Sequence, residues 1–214
     1  MTANGFKIRF FIMAALLAAV SALGGVALWN LSQARNQSPV SSLLVLPDPR
    51  VVADFRLTDH HSQPFTLADL HGKWSLIFFG FTHCPDVCPG TLFELHQVNA
   101  NMQQTLQAAT DPPQILFISV DPERDTPAKL EQYLAYFDPG FIGITGDHAQ
   151  LLPLTRQLGI AYRIEEHEPG TPDYGVDHSA SILLINPQGR LYGAFPAPHD
   201  AAKISADLLV IIED

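Results

Sequence analysis

The chain has 214 residues, 47% of them apolar and 16% charged, enough for one well-packed domain with an appendage and too little for two full domains. Its net charge is −10, and residues 1–35 hold Lys7, Arg9 and Arg35 but no acid, so the acidic excess falls wholly on the remainder. That balance repels phosphate backbones and anionic headgroups and argues against nucleic acid as a partner; it serves solubility first, and a cationic ligand or basic protein surface second.

Residues 1–9 read as a short cytoplasmic tail. Phe10 to Leu28 is a run of nineteen uncharged residues, about the length a ~30 Å hydrocarbon core demands of a helix. Lys7 and Arg9 precede it, and the positive-inside tendency sends the C-terminal remainder across the membrane. A cleaved signal peptide is the rival reading, with Ser21, Ala22 and Gly24 near a cut, but the apolar run continues to Trp29. A single-pass anchor over residues 10–29 is therefore expected. No cysteine lies near it for a lipid anchor, and no Arg- and Ser-rich presequence points to mitochondria. The expected setting is a bacterial inner membrane with the C-terminal part in the periplasm. Residues 30–49, with Pro39, Pro47 and Pro49, read as a flexible linker to a domain over 50–214.

Within the domain, Val51–Leu57 and Gln63–Leu67 flank a turn and predict an antiparallel pair. Trp74–Phe81 reads as a strand buried on both faces. A Pro- and Cys-containing turn leads to a helix over about Pro89–Ala108. Gln114–Val120 reads as a second buried strand, and Thr126-Pro127 opens a helix to Phe137. Next come a strand at Phe141–Thr145, a helix over Asp147–Leu158 with Asp147 as cap, and a surface loop over 165–177. Strands Ala180–Ile185 and Arg190–Phe195, joined by Asn186-Pro187-Gln188-Gly189, precede a helix over Asp200–Ile212. This order predicts an α/β domain with a central mixed sheet flanked by helices, thioredoxin-like, with insertions at 51–67 and 141–175.

Cys84 and Cys88, the only cysteines, sit where a buried strand ends and a helix begins. Unpaired N–H groups and the helix dipole favour thiolates there, so both thiols are expected to be more acidic than a free cysteine. Three intervening residues, against two in a thioredoxin motif, still permit a redox-active or structural disulfide, and also let both sulfurs face one metal ion. A further ligand is then needed from nine histidines. Most fall in turns or near helix ends, and His83, beside Cys84, tends to point the opposite way. His178 closes the loop 165–177 just before a late strand, which in a thioredoxin-like layout faces the cysteine turn. Two thiolates and an imidazole suit Cu(I) and, with an added oxygen, Cu(II), while zinc accepts the same set. Asp86 and Asp177 are candidates for hydrogen bonds behind the ligands, or else turn formers, and the segment Asp121 to Pro127 is either a helix start or a partner contact. Arg124 in that segment, together with Val87-Cys88-Pro89, leaves a peroxidase as a minor reading.

Gly80-Phe81-Thr82-His83-Cys84-Pro85-Asp86-Val87-Cys88-Pro89, Ser119-Val120-Asp121-Pro122-Glu123-Arg124-Asp125-Thr126-Pro127 and Val176-Asp177-His178-Ser179 together resemble the Sco/SenC family of copper-binding assembly proteins over about residues 50–212. Gly90 departs from the polar residue expected after the second Cys-Pro. The resemblance implies a thioredoxin-like fold, one N-terminal anchor, and copper held by Cys84, Cys88 and His178. It implies delivery of copper to the binuclear copper centre of apo cytochrome c oxidase subunit II, fed by a periplasmic copper donor. The alternative is a membrane-anchored thiol-disulfide oxidoreductase, loaded by a thiol reductant, in which Cys84 attacks and Cys88 resolves.

Overall fold

Alternation along one short apolar run sets up the whole molecule. In the computed structural model, which describes residues 40–106, 111–171 and 173–213 together with residues 13, 21, 22, 24 and 25, the segment Ser75–Gly80 is a strand with every residue buried. Leu76 and Phe78 enter one core, and Ile77 and Phe79 enter another on the opposite face, as the two-residue period of a strand requires. The tail 1–9 and the anchor expected at 10–29 lie outside the described residues but for those isolated positions. Among the described residues no helix is long and apolar enough to cross a membrane. Residues 40–214 form one unit, and the elements and site described below all belong to it.

Its elements run β1 (Leu44–Val51), β2 (Arg56–Asp59), β3 (Pro64–Thr66), β4 (Ser75–Gly80), α1 (Val87–Thr105), β5 (Gln114–Ser119), α2 (Pro127–Leu134), β6 (Ile142–Thr145), α3 (His148–Leu158), β7 (Tyr162–Ile164), β8 (Val176–His178), β9 (Ile182–Ile185), β10 (Arg190–Phe195) and α4 (Ala201–Glu213). Eight strands form one mixed sheet in the order β1-β10-β9-β4-β5-β6-β2-β3. At its centre β4 and β5 are parallel, β9 runs antiparallel to β4, and β10 antiparallel to β9. Those four strands with α1 and α4 make a thioredoxin-like core, as expected. The predicted insertions extend the same sheet, since β6 joins β5 in parallel and β2 and β3 complete the edge. One core holds Leu92, Leu95, Leu130, Leu134, Ile204 and Leu208 from α1, α2 and α4, and the other holds Leu151, Leu154 and Leu158 from α3.

Two segments differ from the sequence expectation. The stretch read as linker ends in structure: β1 covers Leu44–Val51 and pairs with β10. Pro47 and Pro49 suggested a spacer, but an edge strand tolerates proline, and the register shifts between Val45 and Arg50 where they fall. The loop 165–177 is bracketed by a two-stranded hairpin, β7 with β8, whose three-residue strands are too short to show a periodic pattern.

The chain entering β1 is held by Asp207 on α4. Its carboxylate accepts from the Ser41 N–H at 2.7 Å, the Ser42 N–H at 2.7 Å, the Ser42 hydroxyl at 2.6 Å and the Leu43 N–H at 3.0 Å. Burial opposes ionisation of Asp207, but these donors outweigh it and hold the carboxyl below the usual carboxylate range. A carboxylate with a depressed folded pKa stabilises above the unfolded value of about 4, and that stability disappears as pH falls through the folded value. Asp207→Ala is expected to cost about 1–3 kcal/mol at neutral pH, because it strands the same donors. Thermal melts should show the gap to the parent chain narrowing only below about pH 4; a gap that does not change between pH 7 and pH 3 would contradict this role.

Candidate metal centre

The site grows from the C-terminal end of β4. Gly80 ends the strand where a side chain has no room, since a Cβ there would lie 2.7 Å from Cys88 Sγ and 2.7 Å from the Phe117 ring. Beyond it, Asp125 locks the turn. Its buried carboxylate accepts from the Thr82 N–H at 2.9 Å, the Thr82 hydroxyl at 2.5 Å and the Ser119 hydroxyl at 2.6 Å. These bonds fix the backbone just ahead of Cys84 to the end of the neighbouring strand. Thr126, not Asp125, caps α2 by accepting from the Lys129 N–H, with Pro127 at the first helical position.

Cys84 is half-buried and precedes the helix, whereas Cys88 is fully buried in its first turn. The Cys88 N–H donates to Cys84 Sγ at 3.4 Å, which is how a helix start presents a free donor to a sulfur. Both are unbridged thiols. His178, the last residue of β8, arrives from the hairpin and packs edge-on against Phe78 and Phe81, each with ring centroids 5.8 Å away. Its Nδ1 donates to the Ser179 carbonyl at 3.0 Å, which leaves Nε2 bare and facing Cys88 Sγ at 3.3 Å. The ligand atoms of Cys84, Cys88 and His178 all lie within 4.8 Å of one another, and this is the only group of three or more such ligands among the described residues.

The predicted acidity of the cysteines is corrected for one of them. Burial pushes the Cys88 thiol far above its ordinary value; a backbone hydrogen bond from Phe81 opposes this, and the neighbouring Cys84 adds to it. A helix N-terminus is worth about 0.3–2 kcal/mol, whereas full burial moves a pKa by up to about 3–5 units, roughly 4–7 kcal/mol. Cys88 is therefore a protonated thiol until something replaces the proton. Burial lowers the His178 pKa, outweighing the hydrogen bond to Ser179 and the charge of Asp177, so its imidazole is neutral and ready to bind.

Each sequence-predicted residue has a defined place. His83 points away and meets Lys129 Nζ at 3.2 Å, as the strand alternation suggested. Asp86 is exposed and makes no capping bond with its side chain. Asp177 is exposed and pairs across the hairpin with Arg163 at 3.0 Å. Asp121 is buried, away from the ligands, and pairs with Arg124 and the Tyr174 hydroxyl. The Arg124 guanidinium lies 3.6 Å over the Tyr174 ring, and its Nη1 donates to the Tyr174 carbonyl at 3.1 Å. This assembly fastens the segment just ahead of β8 to the loop that carries Asp125. Phe81 and Asp125 lie within the sequence motifs without their packing and hydrogen-bonding roles being legible there, whereas Phe78 and Tyr174 lie outside them.

The donor set fits a soft metal ion. Ligand bonds of about 2.0 and 2.3 Å at a tetrahedral angle place nitrogen and sulfur about 3.5 Å apart, close to the observed 3.3 Å. Thiolate and imidazole donors favour Cu(I), and admit zinc.

Comparison with known proteins gives relatives over these same residues. A model described as SCO1/SenC matches residues 46–213. The chain is 44% identical over 153 residues to the mitochondrial SCO2 homolog of Mus musculus, covering 71% of this chain and 58% of that one, so it spans less than two thirds of that relative's length. The structure of Bradyrhizobium japonicum ScoI with copper bound is 38% identical, with a TM-score of 0.65, covering 75% of this chain and 98% of that one. Yeast Sco1 with copper bound is 31% identical, with a TM-score of 0.71, covering 78% and 90%.

Proposed function

The chain belongs to the SCO1/SenC family, and from that premise we propose that it is a copper chaperone that holds Cu(I) or Cu(II) between the sulfurs of Cys84 and Cys88 and the Nε2 of His178. The observation that carries the reading is the convergence of those three atoms within 4.8 Å, with the imidazole neutral and its second nitrogen already bonded. Copper bound to family relatives supports the metal's identity. Loading displaces the Cys88 proton, and the ion then moves to a partner by exchange of one thiolate for another, so it is never released to water.

The recipient is the binuclear copper centre of apo cytochrome c oxidase subunit II, and a periplasmic copper donor fills the site. Residues 10–29 anchor the chain in a bacterial inner membrane, residues 30–39 tether it, and the domain works in the periplasm. The family resemblance supports the recipient, and the N-terminal sequence supports the setting.

A second reading rests on the different burial of the two sulfurs. Cys84 is reachable and Cys88 lies behind it, the arrangement of an attacking and a resolving thiol. As a reductase, the Cys84 thiolate attacks a partner disulfide and releases one partner thiolate. Cys88 then displaces the second, leaving Cys84 and Cys88 bridged and the partner reduced by two electrons. Under this reading the bridged form is the one unable to hold metal.

In cells, His178→Ala is expected to abolish oxidase copper loading while retaining reduction of the partner's cysteines. Full oxidase assembly in that variant would refute copper delivery.

A further inference from the structure

The turn between β2 and β3 carries two adjacent histidines, and a chain of hydrogen bonds fixes where each holds its proton. Asp59 shapes the turn: its Oδ1 accepts from the His61 N–H at 2.9 Å and from the Gln63 N–H at 2.7 Å. His60 is buried, and its Nδ1 accepts from the Gly143 N–H of β6 at 2.7 Å. A backbone N–H can only donate, so Nδ1 bears no proton and the neutral ring carries its proton on Nε2. That Nε2 lies 3.0 Å from His61 Nε2. The bond therefore runs from His60 to His61, whose own Nε2 is bare; the reverse direction would make His60 an imidazolate.

Both bonds break on protonation. A proton on His60 Nδ1 would face the Gly143 N–H, and a proton on His61 Nε2 would face the His60 N–H. The register joins β2 to β6 at two residue pairs, Thr58 with Thr145 and Asp59 with Ile144, so the imidazole link adds a third tie to a short seam. The charged groups facing the rings are Asp59 at the end of β2, Glu131 on α2 and Asp138 beyond α2; the last two line a cavity of about 140 Å³ with both imidazoles. β6 itself, Ile142–Thr145, holds no charged residue. Asp138 is already engaged by His96 Nδ1 at 3.2 Å, Asn99 Nδ2 at 2.8 Å and the Gly140 N–H at 2.8 Å. Burial, and after it His61, outweigh the carboxylates of Asp59 and Glu131 and lower the His60 pKa. We propose that the His60–His61 pair is a pH-sensitive latch of the β2–β3 edge onto β6, closed when both rings are neutral and opened by a proton on either. It stands apart from the metal centre, with β5 and β6 between β2 and β4 in the sheet.

A histidine with a lowered folded pKa stabilises fully above its unfolded value of about 6.5, and that stability is lost as pH falls through the folded value. Long-range nitrogen–proton NMR on the full chain at pH 7.5 should show His60 protonated on Nε2 alone and His61 on Nδ1 alone. These tautomers are read on the parent and need no variant. His60→Asn keeps an acceptor, Oδ1, in the place of Nδ1 but does not titrate. Between pH 7.5 and pH 5.5 the melting temperature of the parent should therefore fall about 2–4 °C further than that of the variant, the size of one pKa unit in a chain of this length. The remaining histidines are common to both chains and cancel. A proton on His60 Nδ1 or on His61 Nε2 at pH 7.5 would overturn the proposal, as would equal falls in the two melting temperatures.

Discussion

His178→Ala, Cys84→Ser and Cys88→Ser are each expected to abolish stoichiometric copper binding while leaving the domain folded. With only three donors, loss of one leaves a two-coordinate remnant that must recruit water or a buffer ligand. Removing mere outer partners of ligands typically weakens metal binding about 10–100-fold, so removing a ligand should exceed that range. At Cys84 and His178 the surrounding fold keeps other ties. Cys84 is half-buried at a turn, and the hairpin bearing His178 keeps its tie through Asp121, Arg124 and Tyr174. Cys88→Ser is the severest of the three for stability, since it places a hydroxyl in a fully buried site. Competition titrations with a Cu(I) chelator, with circular dichroism as the control, check this. Unaltered affinity in any of the three variants would refute the ligand assignment.

Gly80→Ala should damage both stability and the metal centre through one methyl group. The new Cβ would fall 2.7 Å from Cys88 Sγ and 2.7 Å from the Phe117 ring, closer than carbon atoms approach in real structures. Neither neighbour is the free end of a flexible chain. Cys88 is fixed in the first turn of α1, and Phe117 sits on the paired strand β5 with both faces of the sheet packed. Overpacking of this kind costs about 1–3 kcal/mol, and for a chain of this size each kcal/mol lowers the melting temperature by about 2–4 °C. Relief by a shift of Cys88 moves its sulfur relative to His178, so copper affinity should fall along with stability. Melting within about 1 °C of the parent, with unchanged affinity, would show that the strand and helix give way freely there.

The features readable in advance were those with a strong local signal. The unbroken apolar run Trp74–Phe81 located the central strand, and the cysteine turn followed from its position after that strand. His178 was readable because it precedes a late strand, and the chain order placed that strand beside β4. What escaped was set by contacts distant in sequence. Asp125 bonds Thr82 across 43 positions, and Asp207 holds Leu43 across 164; neither pairing leaves a mark on local composition. Asp86 and Asp177, which adjoin the ligands in sequence and read there as supports for them or as turn formers, are both exposed; alternate side chains in a strand diverge, and Asp177 turns outward to Arg163. The acidity expected of Cys88 failed for a related reason: the helix start is visible in sequence, whereas complete burial is a property of the packed sheet, and burial is the larger effect.

Copper K-edge X-ray absorption on the Cu(I)-loaded chain bears most directly on the central claim. Two sulfurs at about 2.3 Å and one nitrogen at about 2.0 Å are predicted around a single copper. A shell of nitrogen and oxygen alone, or one containing a single sulfur, would contradict a centre built from Cys84, Cys88 and His178.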